Sequence, residues 1–486
     1  MLSKDTDIEH IKHEVLLEVA KLCFTDKLEE EKEYLPMKLI PGPQANYRCC
    51  IYREREIIRQ RIRIAEGRPS TIKGNNNIVQ VITSACEGCP IARYVVTDTC
   101  RKCVGRKCKG ACPFDAITIG KDRAYIDPSK CKECGKCKDA CPYNAIADNM
   151  RPCKRSCPVD AITMDENNIV VIKEAACISC GACIKGCPFG AITERSFLVD
   201  VIRMLKEKSK EVYAMLAPAW EGQFGDKISF SSMVRGLKDL GFKDVYEVSL
   251  GADLVAKSEG DEWIHALDEG LKMTTSCCPA FVTMVKKHFP SLVPNMSKTI
   301  SPMTATAKVI KAMNPNAICV FIGPCIAKKG EVLDTVALNG ADYALTFEEL
   351  HTMLQAKDIS LEVVEESQQQ GSLYGKKFCA SSGVSDAVLS YIKDTGFDTK
   401  DIKAKPCNGA SECKKALTLL KLNKLPEDFI EGMVCIGGCK DGPGNLLTGR
   451  LIENKREQLF KKADNRSILD TNREYEKLDI NLHYGE

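Results

Sequence analysis

The stretch CKECGKCKDACPYNAIAD, residues 131–148, carries four cysteines in the spacing C-x2-C-x2-C-x3-C, and a proline follows the last of them. The same spacing returns in CISCGACIKGCPFGAITE, residues 177–194. Tight turns of this kind aim three thiolates at one iron–sulfur cubane, and the proline redirects the chain so that the fourth thiolate reaches a different cluster. The two runs therefore predict a repeated α+β unit built around 4Fe–4S clusters.

Cys-Pro units followed by a short apolar motif occur four times, beginning at Cys112, Cys141, Cys157 and Cys187. The first follows a modified run, C-x2-C-x4-C-x3-C, and the third keeps a single upstream partner, Cys153. This pattern resembles two-cluster bacterial ferredoxins, in which three cysteines of a run hold one cluster and the fourth holds the other. We therefore expect tandem ferredoxin-like α+β repeats in this part of the chain.

The ferredoxin pattern assigns these cysteines to clusters. We expect three 4Fe–4S clusters, held by Cys100, Cys103, Cys108 and Cys141, by Cys131, Cys134, Cys137 and Cys112, and by Cys177, Cys180, Cys183 and Cys157. Cys187 and Cys153 are left in need of two partners, and the upstream pair Cys86 and Cys89 can supply them. The alternative for that pair is a redox-active or zinc-binding CxxC. The expected number of accessory clusters is therefore three to four.

The composition argues against a disulfide-stabilised secreted protein. The chain has 28 cysteines in 486 residues, and a chain of this length does not need disulfides to fold. Its N-terminus, MLSKDTDIEHIKHEV, lacks the apolar segment of a secretory signal, and no run of about 18 apolar residues occurs. None of the six histidines is paired with cysteine at a zinc-finger spacing. We therefore expect a cytoplasmic iron–sulfur protein without a membrane-spanning segment.

The distribution of cysteines and apolar runs predicts four regions. These are an N-terminal helical and charged region at 1–80, the iron–sulfur relay at 81–195, a large domain at 196–455 and a charged C-terminal tail at 456–486. Within the large domain, apolar runs at 214–218 and 317–323 predict strands, and the pattern at 385–394 predicts a helix. Strands that alternate with helices indicate an α/β domain.

Three separated cysteine motifs occur in residues 200–450. They are TTSCCPAF at Thr274–Phe281, IGPCIAKKGE at Ile322–Glu331, and EGMVCIGGCKDGPG at Glu431–Gly444. In this order they resemble the three H-cluster signatures of iron-only (FeFe) hydrogenases. The resemblance implies a two-lobed α/β catalytic domain and an H-cluster, in which a 4Fe–4S cubane is linked to a diiron subsite with CO, CN and azadithiolate ligands.

Carried over by position, the resemblance implies roles for individual residues. The cubane ligands would be Cys278, Cys325, Cys435 and Cys439. Cys439 would also bridge to the diiron subsite. Lys328 would hydrogen-bond a cyanide, because an ammonium is a natural donor to an anionic ligand in a dry cavity. Met433 would pack beside the diiron subsite, and Pro218 and Ala219 would approach its bridging dithiolate.

The resemblance also implies a route for protons. Cys277 would pass protons to the diiron subsite, and the route would continue through Glu259, Ser297 and Glu262 to solvent. A thiol suits this role because its pKa can be brought near the working range. The surface arginine that ends the family's relay has no counterpart, since Ala266 occupies its position. The sequence leaves His265 or water for the last step.

Some positions depart from the best-known members of the family. Gly323 stands where those members carry methionine, Phe281 stands in place of tryptophan, and the third motif reads GPG instead of a glycine run. These differences fit a divergent subgroup of monomeric clostridial-type enzymes. They leave the expected ligands intact and alter the packing around the diiron pocket.

The implied activity is the reversible conversion of two protons and two electrons into H2, and it requires maturation proteins that supply the diiron subsite. Between Cys100 and Asp160 there are 14 Lys and Arg against seven Asp and Glu. Part of this excess compensates anionic clusters, and it also predicts a docking face for ferredoxin or a similar small acidic electron carrier. Nucleic acid is not an expected partner, since no aromatic residues interleave with the basic ones.

Two other functions are compatible with the resemblance. One is a slow hydrogen-sensing homologue, and the other is a non-catalytic iron–sulfur assembly protein. Assembly factors lack the full diiron-supporting set that is present here, and sensors usually append a signalling domain, so catalysis is favoured. Of the remaining cysteines, Cys319 and Cys379 are expected in the core, whereas Cys49 and Cys50 have no assigned role.

Overall fold

The computed structural model describes residues 7–89, 92–225, 227–365, 370–400, 402–461, 463 and 466–484. Its N-terminal region contains four helices: α1 Asp7–Phe24, α2 Leu28–Glu31, α3 Leu35–Leu39 and α4 Ile51–Ala65. The apolar face of α1, with Val15, Val19 and Ala20, is buried in the same core as the larger sheet of the domain that follows the relay. This region is therefore packed onto the rest of the molecule.

The relay consists of short strands and single-turn helices that alternate along the chain. They are β1 Val79–Val81, β2 Tyr94–Val96, α5 Lys107–Gly110, β3 Ile117–Ile119, β4 Ala124–Ile126, α6 Lys136–Asp139, β5 Ile146–Asp148, α7 Pro152–Ser156, β6 Ile162–Met164, β7 Val170–Ile172, α8 Ala182–Gly186 and β8 Ile192–Glu194. All four strand pairs formed by these elements are antiparallel.

Strand pairing divides the relay into two halves, and one half is inserted into the other. In the first half, β2 pairs with β5 and encloses the hairpin β3–β4. In the second half, β1 pairs with β8 and encloses the hairpin β6–β7. Each half contains two of the four Cys-Pro units. The expectation of tandem ferredoxin-like α+β repeats is confirmed.

The large domain contains longer helices and seven strands. Its elements are α9 Leu198–Lys206, β9 Val212–Leu216, α10 Phe230–Leu240, β10 Asp244–Glu247, α11 Val248–Asp268, β11 Met273–Thr274, α12 Pro279–His288, α13 Pro302–Met313, β12 Ile318–Ile322, α14 Ala327–Asp334, β13 Tyr343–Leu345, α15 Phe347–Ala356, α16 Leu373–Lys377, α17 Gly383–Asp394, β14 Ala404–Asn408, α18 Ala410–Lys421 and β15 Phe429–Met433.

Two parallel sheets form the two lobes of this domain. The larger has the strand order β10-β9-β12-β13, and the smaller has the order β11-β15-β14. Both runs predicted as strands belong to the larger sheet, as β9 and β12, and the predicted helix is α17. The two-lobed α/β architecture is therefore confirmed.

The C-terminal residues differ from the charged tail expected at 456–486. Two helices, α19 Arg450–Phe460 and α20 Ile468–Tyr475, cross this region. Ile468, Thr471 and Asn472 of α20 are buried, and the helix packs on α11. The sequence hid this contact because two of these three buried side chains are polar. Among the helices described, none combines the length and apolar character that a membrane crossing requires.

Candidate iron–sulfur and catalytic site

The first half of the relay gathers the two cysteine groups that the ferredoxin pattern assigned to it. Burial raises the pKa of the Cys108 thiol, and the nearby thiols of Cys141, Cys103 and Cys100 raise it further. Burial likewise raises the pKa of Cys137, with contributions from Cys131 and Cys112. Cys134, which the sequence pattern assigns to the second group, is exposed. Neighbouring thiols raise one another's pKa because their thiolates repel. The iron of a cluster would compensate that negative charge.

The second half gathers the other two groups, including the one to which Cys86 and Cys89 were assigned. Cys183 lies near Cys180, Cys177 and Cys157, and burial followed by these thiols raises its pKa. Burial raises the pKa of the Cys153 thiol, and the nearby thiols of Cys187 and Cys89 raise it further. Cys89 in turn has Cys187 and Cys86 as neighbours. Cys86, Cys89, Cys153 and Cys187 therefore lie together.

The four cysteines of the separated motifs meet between the two lobes. Three of the loops involved leave the carboxyl ends of parallel strands: Cys278 follows β11, Cys325 follows β12, and Cys435 follows β15. In open α/β sheets such ends are where ligands bind. Burial raises the pKa of Cys439 well above its ordinary value, and Cys325, Cys278 and Cys435 are its neighbouring thiols. The four positions can thus hold one cubane.

A glycine pair places the last of these cysteines. Gly437 and Gly438 have φ of +83° and +84°, a conformation that side chains rarely adopt. A Cβ on Gly438 would lie 2.6 Å from the backbone oxygen of Cys379. The turn therefore needs glycine both for its dihedral angles and for the close approach of the backbone at Cys379.

The second half of the relay is in direct contact with this cysteine group. Cys180 is among the thiols that neighbour Cys435. A Cβ on Gly181 would meet the Pro443 ring at 2.7 Å, and Lys185 Nζ donates to the Asp441 backbone oxygen at 3.0 Å. The third cluster group and the predicted cubane group therefore share a tight boundary. Across the ranges described, no three Cys, His or carboxylate side chains converge closely enough to hold a single metal ion.

A largely apolar cavity adjoins the cubane group. Its wall includes eight of the residues predicted from the sequence: Pro218, Ala219, Cys277, Cys278, Cys325, Lys328, Met433 and Cys439. Apolar side chains fill most of the remaining wall, among them Met303, Phe321 and Phe378. A Cβ on Gly323 would lie 2.6 Å from the Phe321 ring, so the glycine at this unusual position leaves room for that ring.

Lys328 is the cationic group of the cavity wall. Its Nζ donates to Glu331 Oε2 at 2.7 Å and to Ser301 Oγ at 2.8 Å, and it lies 3.5 Å from the Cys277 backbone oxygen. The side chains of Lys328 and Glu331 are 10% and 6% exposed, so the pair is screened little by water. The sequence analysis did not identify Glu331 or Ser301, which keep the ammonium paired and oriented.

The inner members of the predicted proton route are buried next to this cavity. Burial raises the pKa of the Cys277 thiol well above its ordinary value, and among the surrounding charged groups the Glu259 carboxyl raises it most. Glu259 Oε1 accepts from the backbone nitrogen of Ser276 at 3.0 Å and from its hydroxyl at 3.2 Å. Glu259 Oε2 has no hydrogen-bond partner. Burial raises the pKa of Glu259 to about 8, and Ser297 lies within hydrogen-bonding reach.

The outer members are connected through Thr299, which the sequence analysis did not identify. The Thr299 backbone nitrogen donates to Ser297 Oγ at 3.0 Å, and its hydroxyl donates to Glu262 Oε1 at 2.8 Å. The Lys298 backbone nitrogen donates to Glu262 Oε2 at 3.0 Å. Glu259, Ser297 and Glu262 therefore follow one another from the cavity toward the surface, in the order that the resemblance implies.

Cys379 is buried, as expected, but it is not a simple core residue. It lines the cavity beside Cys439, and the guanidinium of Arg456 donates to its sulfur. Arg456 lies in α19, within the segment expected to be a tail, and it is 3% exposed. No local pattern could have paired the two, since 77 residues separate them. By contrast, Cys407 and Cys413 are fully buried in the smaller lobe.

Comparison with known proteins identifies the parts of the chain. Residues 210–443 match the family described as "Iron only hydrogenase large subunit, C-terminal domain". Residues 124–147 match a 4Fe-4S binding domain, and residues 147–198 match the Fe-S cluster-binding domain of LdpA.

Among curated proteins, Iron hydrogenase 1 of Clostridium pasteurianum is 26% identical over 52% of this chain and 53% of its own length. The periplasmic [Fe] hydrogenase large subunit of Nitratidesulfovibrio vulgaris is 28% identical over 53% of this chain and 74% of its own. The chain thus spans about half the length of the first of these relatives.

A probable cytosolic Fe-S cluster assembly factor of Caenorhabditis elegans is 23% identical over 43% of this chain and 58% of its own length. Among solved structures, an [FeFe]-hydrogenase variant of Chlamydomonas reinhardtii aligns with a TM-score of 0.48 and 21% identity, covering 60% of this chain and 96% of its own.

Proposed function

We propose that this chain, an FeFe-hydrogenase-like protein with iron–sulfur clusters, catalyses the reaction 2 H⁺ + 2 e⁻ ⇌ H2 at an H-cluster in the cavity between its two lobes. The observation that carries the proposal is the composition of the cavity wall. Three predicted cubane cysteines, the thiol of Cys277 and the ammonium of Lys328 face one largely apolar space. An assembly scaffold would need the cysteines but not the proton-handling groups.

The residues present fit the predicted cofactor. Cys278, Cys325, Cys435 and Cys439 would hold the cubane, and the cavity beside them would take the diiron subsite. When bound, the diiron subsite with its CO, CN and azadithiolate ligands supplies the redox chemistry that joins protons and electrons. Lys328 is positioned to donate to an anionic ligand there, since its partners Glu331 and Ser301 hold the ammonium at the wall.

The protein would contribute exclusion of water and controlled movement of protons. Phe321, Phe378 and Met433 supply apolar surface around the reacting centre, which strengthens the electrostatic effect of Lys328. Cys277 would hold a proton at its sulfur and exchange it with Glu259. Glu259 suits this task because burial brings its pKa to about 8, close to neutral pH, where an acid–base group is most effective.

The relay would carry electrons between the surface and the cubane. The second half contacts the cubane group through Cys180, and the first half carries the exposed Cys134 and 11 of the 14 basic residues counted in the sequence. We infer that the first half receives ferredoxin or a similar acidic carrier in the cytoplasm, because an electropositive surface speeds encounter with an acidic partner. Maturation proteins would deliver the diiron subsite.

An iron–sulfur assembly role is the second candidate, and it is supported by the similarity to a cytosolic assembly factor. The two functions differ in what they require of Cys277, Glu259 and Lys328. An assembly factor has no use for a thiol, a carboxyl of raised pKa and an ammonium arranged around one apolar cavity. These groups favour catalysis.

The test is reconstitution with the diiron precursor, followed by infrared spectroscopy and H2 assays in both directions. We expect absorption bands from CO and CN on iron, and turnover in both directions with an artificial electron carrier. The variant Cys277→Ala, which lacks the thiol, should keep those bands. Its turnover should fall by about 100-fold or more, as expected when a general acid–base group is removed. Absence of the bands after competent maturation would contradict the catalytic proposal, and bands without turnover in the unmodified chain would favour a non-catalytic role.

A further inference from the structure

Residues 482–484, the last that the structure describes, lie against the segment that follows Ser297. The Ile300 backbone nitrogen donates to the Leu482 oxygen at 2.7 Å, and the Tyr484 nitrogen donates to the Lys298 oxygen at 2.8 Å. Thr299 and His483 form an antiparallel bridge between these hydrogen bonds. Backbone pairing therefore fixes His483 beside the outer part of the predicted proton route.

The imidazole of His483 contacts that route directly. Its Nε2 lies 3.2 Å from Glu262 Oε1 and 3.3 Å from the Ser258 hydroxyl. The side chains of His483 and Glu262 are 35% and 20% exposed, so the pair lies at the boundary between protein and water. A group at this boundary can receive a proton from solvent and still reach a partner inside.

Inward of Glu262, polar groups lead back toward the cavity. Thr299 joins Glu262 to Ser297, and Ser297 is a neighbour of Glu259. The buried Glu259 Oε2 has no other partner, so it is available for a proton-carrying contact. Glu259 in turn lies next to Cys277 at the cavity wall.

Outward of Glu262, His483 faces an open surface pocket. The charged residues that line this pocket with it are Lys257, Asp261, Glu262, Glu476 and Asp479. Four of these five are acidic, so the pocket attracts protons and cationic buffer acids. Imidazole is the side chain whose charge ordinarily changes between pH 5 and 8, which suits it to load and release protons near neutral pH.

We propose that His483 is the outer proton-transfer residue of this protein, exchanging protons between solvent and Glu262; the inference rests on the proposed hydrogenase function. In the inward direction, the imidazolium N–H bond breaks, its proton bonds to a Glu262 carboxylate oxygen, and the neutral ring then takes a proton from hydronium or a buffer acid. The outward direction reverses these steps. His265, the residue suggested by sequence position, is 75% exposed and contacts Glu269 instead.

The first test compares His483→Gln with the unmodified, fully matured protein at low buffer concentration. Glutamine keeps a hydrogen-bonding group at this position but cannot carry a proton at neutral pH. We expect H2 turnover to fall by about three- to tenfold, less than for a residue that acts at the reacting centre. Added imidazole should restore turnover in His483→Ala, which leaves space for it. His10→Gln is the matched control, because it removes another exposed histidine paired with a glutamate.

The second test does not depend on activity. In ring ¹⁵N spectra of the full chain, each of the six histidines gives one Nδ1 and one Nε2 signal, and comparison with His483→Gln identifies the Nε2 signal of His483. That signal should shift at fixed pH in Glu262→Gln and stay in place in Glu269→Gln. An unchanged signal in Glu262→Gln would overturn the inference. So would turnover in His483→Gln equal to that of the unmodified protein, or a lack of rescue by imidazole in His483→Ala. Turnover that falls in His265→Gln alone would place the exit there, whereas lack of turnover in the unmodified matured chain would overturn the proposed function itself.

Discussion

At the scale of single residues, Glu259 combines complete burial with an oxygen that has no partner. Its pKa of about 8 lies above that of an unfolded carboxyl, so between pH 4.5 and 8 the folded chain binds more protons than the unfolded one. The contribution of Glu259 to the free energy of unfolding is fully present below the pKa of the unfolded carboxyl. It is lost as the pH rises through about 8, the pKa in the folded chain. A residue suited to exchange protons thus makes the fold less stable in alkali.

Replacing Glu259 by Gln should separate these effects. The amide oxygen can still accept from Ser276, and the side chain no longer ionises, so unfolding free energy should depend less on pH between 5 and 8 than in the unmodified protein. Turnover should fall by about 100-fold or more because the proton route is cut. Urea unfolding at several pH values, with the H2 assay, checks both. An equal pH dependence in the two proteins would show that Glu259 ionises freely.

Lys328 and Lys329 offer a matched pair of buried cations. Lys328 faces the cavity, whereas Lys329 is fully buried against Glu349 on the other side of the helix. Removing one partner of a buried pair leaves an uncompensated charge, so Lys328→Gln and Lys329→Gln should each lower the unfolding free energy by about 3–5 kcal/mol. Only Lys328→Gln should weaken the CO and CN infrared bands per folded chain. Equal band loss in both variants would mean that stability alone explains it.

Sequence reasoning at this scale succeeded where chemistry and spacing are local. The cysteine runs predicted which thiols lie near one another, because three cysteines of each run are close in sequence. Arg456 and His483 were missed because each reaches the site from a distant segment through packing that no short pattern records. Thr299, two residues after Ser297, was missed because its role depends on contact with Glu262, 37 residues away. The position of Glu331 was within an identified motif, but its role depends on Ser301, 30 residues away.

At the scale of elements, the site is built from the carboxyl ends of strands in two separate parallel sheets. The strands β9 and β12 were predictable from their apolar runs, and their ends carry Pro218 and Cys325. What the sequence could not supply was the meeting of the two sheets. That meeting depends on turns such as Gly437–Gly438, where the dihedral angles and the close approach of Cys379 both require glycine.

The Gly438 turn predicts a specific loss of cluster binding. Gly438→Ala should displace Cys439, because its Cβ would lie 2.6 Å from the Cys379 oxygen, and should lower the iron bound at the cubane group. Gly396→Ala is the control: Gly396 has a similar φ of +85° but nothing within 4 Å of a Cβ. The control should cost only about 1–2 kcal/mol of unfolding free energy from left-handed backbone strain. Iron content and urea unfolding distinguish the two, and an equal iron content in both would refute the steric account.

At the scale of the whole molecule, one half of the relay is inserted into the other, and the enclosing half borders the predicted cubane group. The half that contacts the cubane group contains the Cys86, Cys89, Cys153 and Cys187 group, which the sequence could propose only by elimination. Its assembly depends on the pairing of β1 with β8, two strands more than 100 residues apart. Short patterns do not encode such a contact, so the spacing alone could not assign this cysteine group.

The proposed fourth cluster leads to a prediction about iron content. Replacing Cys86 and Cys153 together by Ser should remove about four iron atoms per chain, because a 4Fe–4S cluster needs its thiolates. Cys49→Ser with Cys50→Ser is the matched control, since both are exposed and belong to none of the four groups. Iron analysis and electron paramagnetic resonance of the reduced proteins measure the change. If the double serine variant at positions 86 and 153 keeps the iron content of the control, the pair Cys86 and Cys89 is no cluster ligand, and the relay contains three clusters.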